Sequence, residues 1–124
     1  MQRKIKILVV KPNKLPEVQI IDNNDRAKKE IVGGSLNYIY DDNFNNVVFI
    51  CNGNKMNLTA NRLINNKMIT GTFIIVRDDY EYGEDRSLTE KQIKKYQDFF
   101  NEKSIFDTNL LIAQKKVEKQ DLAI

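Results

Sequence analysis

Apolar and polar residues alternate over the first half of residues 4–11 (KIKILVVK) and then run apolar, a β-branched, half-alternating pattern that predicts a strand. Pro12-Asn13-Lys14 is a turn cluster, and Glu17-Val18-Gln19-Ile20-Ile21 alternates again, so the two strands are expected to form a hairpin. Asp22-Asn23-Asn24-Asp25 supplies helix N-cap side chains, and residues 26–32 read as a short helix. Gly33-Gly34 ends it, since glycine accepts the left-handed conformation found at helix C-termini. Residues 36–40 (LNYIY) and 47–51 (VVFIC) read as strands around the polar segment 41–46, and Asn52-Gly53 is a tight-turn signal. Residues 57–66, with Leu58, Arg62, Leu63 and Ile64, suit one or two helical turns. Residues 68–77 (MITGTFIIVR) form the most strand-like run and are expected to be one central strand, Gly71 marking a bulge or a close backbone approach.

A second helix is expected after Ser87-Leu88-Thr89-Glu90, with Thr89 as its cap. Ile93, Tyr96, Phe99 and Phe100 then recur at three- and four-residue spacing and make one apolar stripe. Beyond Glu102, the residues Phe106, Leu110, Ala113 and Val117 keep a helical period beside Lys115, Lys116 and Lys119. That stripe is expected to pack back on the sheet, or otherwise to promote a homodimer or partner docking. No internal repeat is visible. The pattern predicts an α+β fold: a mostly antiparallel sheet of about five or six strands, with two or three helices on one face. Residues 1–103 form one domain in this reading, and 104–124 a C-terminal helical extension or tail.

Composition removes whole classes of chemistry. The chain has 124 residues, no His, one Cys and a formal net charge of +3. Without His there is no side chain of near-neutral unperturbed pKa and no common zinc ligand. Cys51 follows Val47-Val48-Phe49-Ile50 and reads as a buried strand thiol, compatible with a reducing cytosol. No glycine-rich phosphate loop is present, because Gly33-Gly34 is an isolated pair. No run of about 18 apolar residues exists to span a membrane, and the start is too short in apolar residues for a signal peptide. A cytoplasmic, non-enzymatic chain without metal or cofactor is therefore expected.

Three stretches carry candidate binding chemistry. The first is acidic: Asp78, Asp79, Tyr80, Glu81, Tyr82, Glu84 and Asp85, with Arg77 and Arg86 at its ends. Calcium-loop spacing fails here with Gly83 as the loop glycine, which puts Tyr80, Tyr82 and Thr89 at ligand positions, and it fails at Asp41-x-Asn43-x-Asn45. The residue types suit a recognition loop for a basic partner, tyrosines giving contact area and carboxylates giving steering. The bland alternative is a solvated loop joining strand to helix. A Mg²⁺-dependent hydrolase built on Asp78, Asp79 and Glu81 is the remotest reading. The second stretch is basic: Arg3, Lys4, Lys6, Lys11 and Lys14, with no acid among residues 1–14. It suits nucleic acid only weakly, since no aromatics interleave, and edge-strand lysines that block aggregation explain it as well. The third is Asn61-Arg62 with Gly71-Thr72, where Arg62 either clamps the phosphate of a nucleotide-type signal or pairs with a nearby acid.

The order of Val32-Gly33-Gly34, Cys51-Asn52, Asn61-Arg62-Leu63, Gly71-Thr72-Phe73-Ile74-Ile75-Val76, Ser87-Leu88-Thr89 and Tyr96 resembles one family. Its members are short proteins carried by phages, plasmids and conjugative elements, known as a domain of unknown function. The likeness covers residues 5–100. It implies an accessory protein of a mobile element and transfers no catalytic residues. The expected function is binding of a host protein, with inhibition of a host defence system as one form of it. Sequestration of a nucleotide-type signal and nucleic-acid binding through the N-terminal lysines are the alternatives. A homodimer through the C-terminal helix is a further expectation.

Overall fold

The alternation at the start of the chain builds the hairpin it predicts. In the computed structural model, β1 (Lys4–Val10) pairs antiparallel with β2 (Glu17–Asp22), Ile5 opposite Ile21 and Leu8 opposite Val18. The structure describes residues 3–41, 44, 46–54, 58–79, 81 and 83–122, with side chains as far as 115. Helix α1 (Asp25–Val32) starts at Asn24, whose side chain accepts the Ala27 N–H, and ends at Gly33 with φ 84°. Strands β3 (Leu36–Ile39) and β4 (Val47–Asn52) follow. Then come β5 (Ala60–Ile64), β6 (Lys67–Thr70), β7 (Phe73–Asp79) and β8 (Glu84–Arg86). Helices α2 (Glu90–Phe99) and α3 (Glu102–Leu122) complete the chain. Among the described residues, no helix is long and apolar enough to cross a membrane.

The six-stranded sheet has the order β2-β1-β7-β4-β3, with β8 added to β7, and every pairing in it is antiparallel. This is the α+β class expected. Its helices, however, lie on both faces rather than one. The runs VVFIC and FIIV are apolar without alternation, and successive strand residues point to opposite sides, so β1, β4 and β7 need cover above and below. Ile5, Ile7, Val9, Val48, Ile50, Ile74 and Val76 meet Val32 of α1 on one face. Leu8, Val10, Phe49, Phe73 and Ile75 meet Ile93, Tyr96 and Phe100 on the other. There Phe49 makes edge contacts to Phe44, Phe73, Tyr96 and Phe100, its centroid 5.1 Å from that of Phe44. Cys51 is buried on that same side, as expected of a strand thiol.

Three sequence expectations are overturned. The helical turns expected over 57–66 are strand β5, hairpinned to β6 through Asn65 and Asn66 at φ 48° and 67°. Two consecutive left-handed asparagines make the turn that matches strand twist, and this local chemistry outweighs the apolar spacing. The single strand expected over 68–77 is broken at Gly71 (φ 73°), so β6 belongs to a separate two-stranded sheet and β7 to the large one. The Gly71 N–H donates to the Thr59 carbonyl at 2.6 Å, and a β-carbon there would meet Leu58 at 3.4 Å. Lastly, the stretch after Arg77 is not a loop leading to a helix. Strand β7 runs on to Asp79 and β8 returns beside it, Asp78 opposite Asp85.

Arg62 ties the small sheet to the rest. It is 1% exposed. Its Nε donates to Ser104 Oγ (2.8 Å), Nη1 to Asn61 Oδ1 (2.9 Å) and Nη2 to the Lys14 carbonyl (2.6 Å). No acid forms an ion pair with it among the described residues, so neutral oxygens replace the carboxylate partner expected from sequence. Desolvation lowers its pKa, yet an arginine stays charged. Replacement by alanine leaves a cavity and buried acceptors without donors. Arg62→Ala is expected to lower the unfolding free energy by about 3 kcal/mol in urea titrations. Arg62→Lys is expected to recover only part of the loss, since one ammonium cannot reach three divergent acceptors.

Candidate functional site

Along the α1 face of β7 the side chains read Ile74, Val76, Asp78, so the apolar face turns acidic at the strand's end. Strand β8 places Asp85 directly across from Asp78. Like charges in that position repel. Lys28 offsets half of this. It lies on α1 in register with Ile31 and Val32, and its Nζ donates to Asp85 Oδ2 at 2.5 Å, the two side chains 5% and 13% exposed. Asn23 Nδ2 donates to the Asp85 carbonyl at 3.0 Å and fixes β8 to the start of α1. Asp78 has no side-chain hydrogen bond or ion pair among the described residues. Burial, then the charges of Asp85 and Asp79, holds its carboxyl above the ordinary range.

Strand β3 supplies the opposite wall. Tyr38 pairs with Ile50 in register, so it faces the α1 side, and Tyr40 falls two residues on in the same direction. Their rings stack at 16° with centroids 6.5 Å apart. The Tyr38 phenol is pushed up to about 12 by burial, and then by Asp85, Asp25 and Tyr40. These groups line a pocket of about 370 Å³ with Asn23, Asp25, Gly83 and Glu84. Asp25, Asp78 and Asp85 stand against one cation among the described lining residues, Lys28, which Asp85 already engages, while Glu84, in register with Asp79, pairs with Arg86. Carboxylates beside tyrosine faces bind ammonium or guanidinium groups by ion pairing and cation–π attraction.

The acidic stretch is divided by the strand pleat. Asp78 and Asp85 share the α1 side, while Asp79 turns to the α2 side, its Oδ2 2.6 Å from Arg86 Nε. Glu81 is exposed and, with Asp79 and Arg77, lines a second depression. Among the described residues, no three His, Cys, Asp or Glu side chains converge as a metal site. Tyr80 and Tyr82, expected to be the contact residues, lie outside the described residues. Asn61, Arg62 and Gly71 do come together, but inside the protein. Asn61 Nδ2 donates to the Val10 and Gly71 carbonyls, both at 2.8 Å, and Thr72 beside them is half-buried. The basic residues are spread along the surface. Lys4 pairs with Asp22, Lys6 with Glu90 and Lys11 with Glu17, and Arg3 is exposed. Lys4 and Lys6 do not guard an edge, because β2 occupies that position and β1 is interior.

Lys28, Tyr38 and Tyr40 were missed in the sequence, although each left a signal. Lys28 occupies an apolar-face position of α1, three and four residues before Ile31 and Val32. Tyr38 and Tyr40 stand two apart on a strand, hence on one face.

A family model described as Domain of unknown function (DUF3846) matches residues 5–101. The chain belongs to this family. No curated protein and no solved structure matches it. The matched segment of this DUF3846 chain runs from β1 to just past α2 and leaves α3 outside. Residues of the motif order named above serve the fold: Asn52 Nδ2 donates to the Val32 carbonyl at the end of α1, Thr89 caps α2, and Tyr96 is buried.

Folding raises the Asp78 pKa, so the folded state holds its proton more tightly than the unfolded state. Stability therefore falls as pH rises from the ordinary value of 3.8 through the folded value. Asp78→Asn is expected to raise stability by about 0.5–1 kcal/mol at neutral pH. The gain should vanish near about pH 3, where both states are protonated. Paired urea titrations of parent and variant check this.

Proposed function

We propose that this DUF3846 chain is a non-enzymatic binding protein whose pocket between α1, β3 and β8 holds a cationic side chain, lysine or arginine, of a partner protein. The observation that carries the reading is Asp78: a carboxylate opposite a second carboxylate, facing the same pocket as two stacked tyrosines and lacking an ion partner among the described residues. An incoming cation completes the pattern that Lys28 begins at Asp85. It relieves the repulsion across the strand pair, so binding gains what the free protein forgoes. A nucleotide's phosphates would meet the carboxylates of Asp25, Asp78 and Asp85 in this pocket, and the donors of Arg62 are turned inward. The three N-terminal lysines with acidic neighbours offer little free charge to a nucleic acid.

The biological setting in this proposal comes from the resemblance: an accessory protein of a phage or other mobile element, acting in the host cytoplasm on a host protein. Blocking a component of host defence is the role that suits such a protein best.

Affinity capture of tagged protein from host lysate, followed by mass spectrometry, tests the reading. The captured partner is expected to be lost with Asp78→Asn and with Tyr38→Ala/Tyr40→Ala, and to be displaced by added arginine. Direct titration of the purified pair should show affinity falling at least about tenfold in either variant, and falling further as salt is raised. Capture that survives both variants and ignores arginine would remove the pocket from the function.

A further inference from the structure

Helix α3 is apolar on two sides. Its inward positions are Ser104, Ile105, Thr108, Leu111 and Ile112, with Thr108 3% exposed, and they pack on β5. The outward positions carry Phe106 at 64% exposure, Leu110 at 47% and the exposed Ala113. Phe106, Leu110 and Ala113 of the stripe expected to pack back on the sheet therefore face solvent, while their neighbours in sequence do the packing. A surface helix needs only one apolar stripe, so the second asks for a cover.

The sequence says what kind. Phe106, Leu110, Ala113 and Val117 are spaced four, three and four, which is the repeat of a coiled-coil seam. That spacing is the same read in either direction. An antiparallel second helix centred between Leu110 and Ala113 therefore brings Leu110 opposite Ala113 and Phe106 opposite Val117, large against small. A parallel pair would set Ala113 against Ala113 and leave a gap. Charge agrees. The first turns carry Glu102 and Asp107 against Lys103, and the last carry Lys115, Lys116 and Lys119 against Glu118 and Asp121. The halves are thus net −1 and +1, and only the antiparallel arrangement sets opposite signs together. We infer that α3 pairs antiparallel with α3 of a second copy along Phe106, Leu110, Ala113 and Val117, forming a dimer. The acidic pocket lies on the opposite face of the large sheet, so both copies keep it open.

Sedimentation velocity over a series from about 1 µM to 1 mM is expected to show a monomer–dimer equilibrium with a Kd of roughly 10–100 µM, as suits a short seam. Phe106→Asp and Leu110→Asp, both at exposed positions, should each weaken it at least about tenfold, with unchanged circular dichroism at low concentration. Orientation is read by crosslinking. Leu110→Cys mixed with Ala113→Cys should oxidise to a disulfide faster than Ala113→Cys alone, the native Cys51 being buried. A monomer at the highest concentration, or a dimer indifferent to Phe106→Asp, would overturn the inference. Faster crosslinking of Ala113→Cys alone would overturn the antiparallel arrangement.

Discussion

The central strands β1, β4 and β7 impose the constraint from which the rest follows. Val47 to Cys51 and Phe73 to Val76 are apolar at every position, and every one of them is buried. Such strands cannot lie at a surface, so the chain must find two covers for one sheet. It uses α1 on one side, and α2 with the β5-β6 hairpin on the other. Separate sheets become necessary for the same reason. The left-handed Gly71 turns the chain out of the small sheet and into the middle of the large one. Arg62 and Asn61 then hold the small sheet in place through carbonyls of β1, the β1–β2 loop and Gly71 itself.

The candidate site is where this constraint ends. Strand β7 outruns the apolar cover after Val76, and Asp78 emerges at the same register position on which the core was built. Because β8 folds back as a strand, Asp85 is fixed beside it, and Lys28 is drawn down from α1 to meet the pair. Burial of Lys28 with Asp85 is tolerable because the ion pair is short and Asn23 anchors β8 alongside. One cation for two facing carboxylates is an unfinished arrangement. An amide or a second lysine there would serve stability better, and under the proposed function the residual charge is what a bound cation neutralises.

Much of the fold was legible in the sequence. The β1–β2 hairpin, α1 with its Asn cap and Gly stop, β3, β4 and the capped α2 all come from patterns in which local chemistry and burial agree. The failures share a cause. Residues 57–66 and 68–71 were read by apolar spacing, but Asn65-Asn66 and Gly71 set the backbone, and turn residues outrank periodicity over such short runs. Asp78, Asp79, Glu84 and Asp85 looked like loop residues because strands rarely carry so many carboxylates, and only pairing with the end of a central strand makes them strand. Half of the site was legible: Asp78 and Asp85 stood out by charge. The other half depended on which edge strand and which helix flank β8, a matter of topology that no local window contains.

Family membership and site therefore speak to different things. Asn52 holding the end of α1, Thr89 capping α2, Asn61 bridging β1 to Gly71 and the buried Tyr96 are all engaged in holding this fold together. The pocket residues Lys28, Tyr38, Tyr40, Asp78 and Asp85 carry a different signature. Tyr38, Tyr40 and Asp78 add little to the core, and the carboxylate pair works against the sheet it sits on. Function on a shared scaffold resides in residues that the scaffold does not require. By that criterion the acidic end of β7, rather than the motif residues, is the better support for the binding role proposed above.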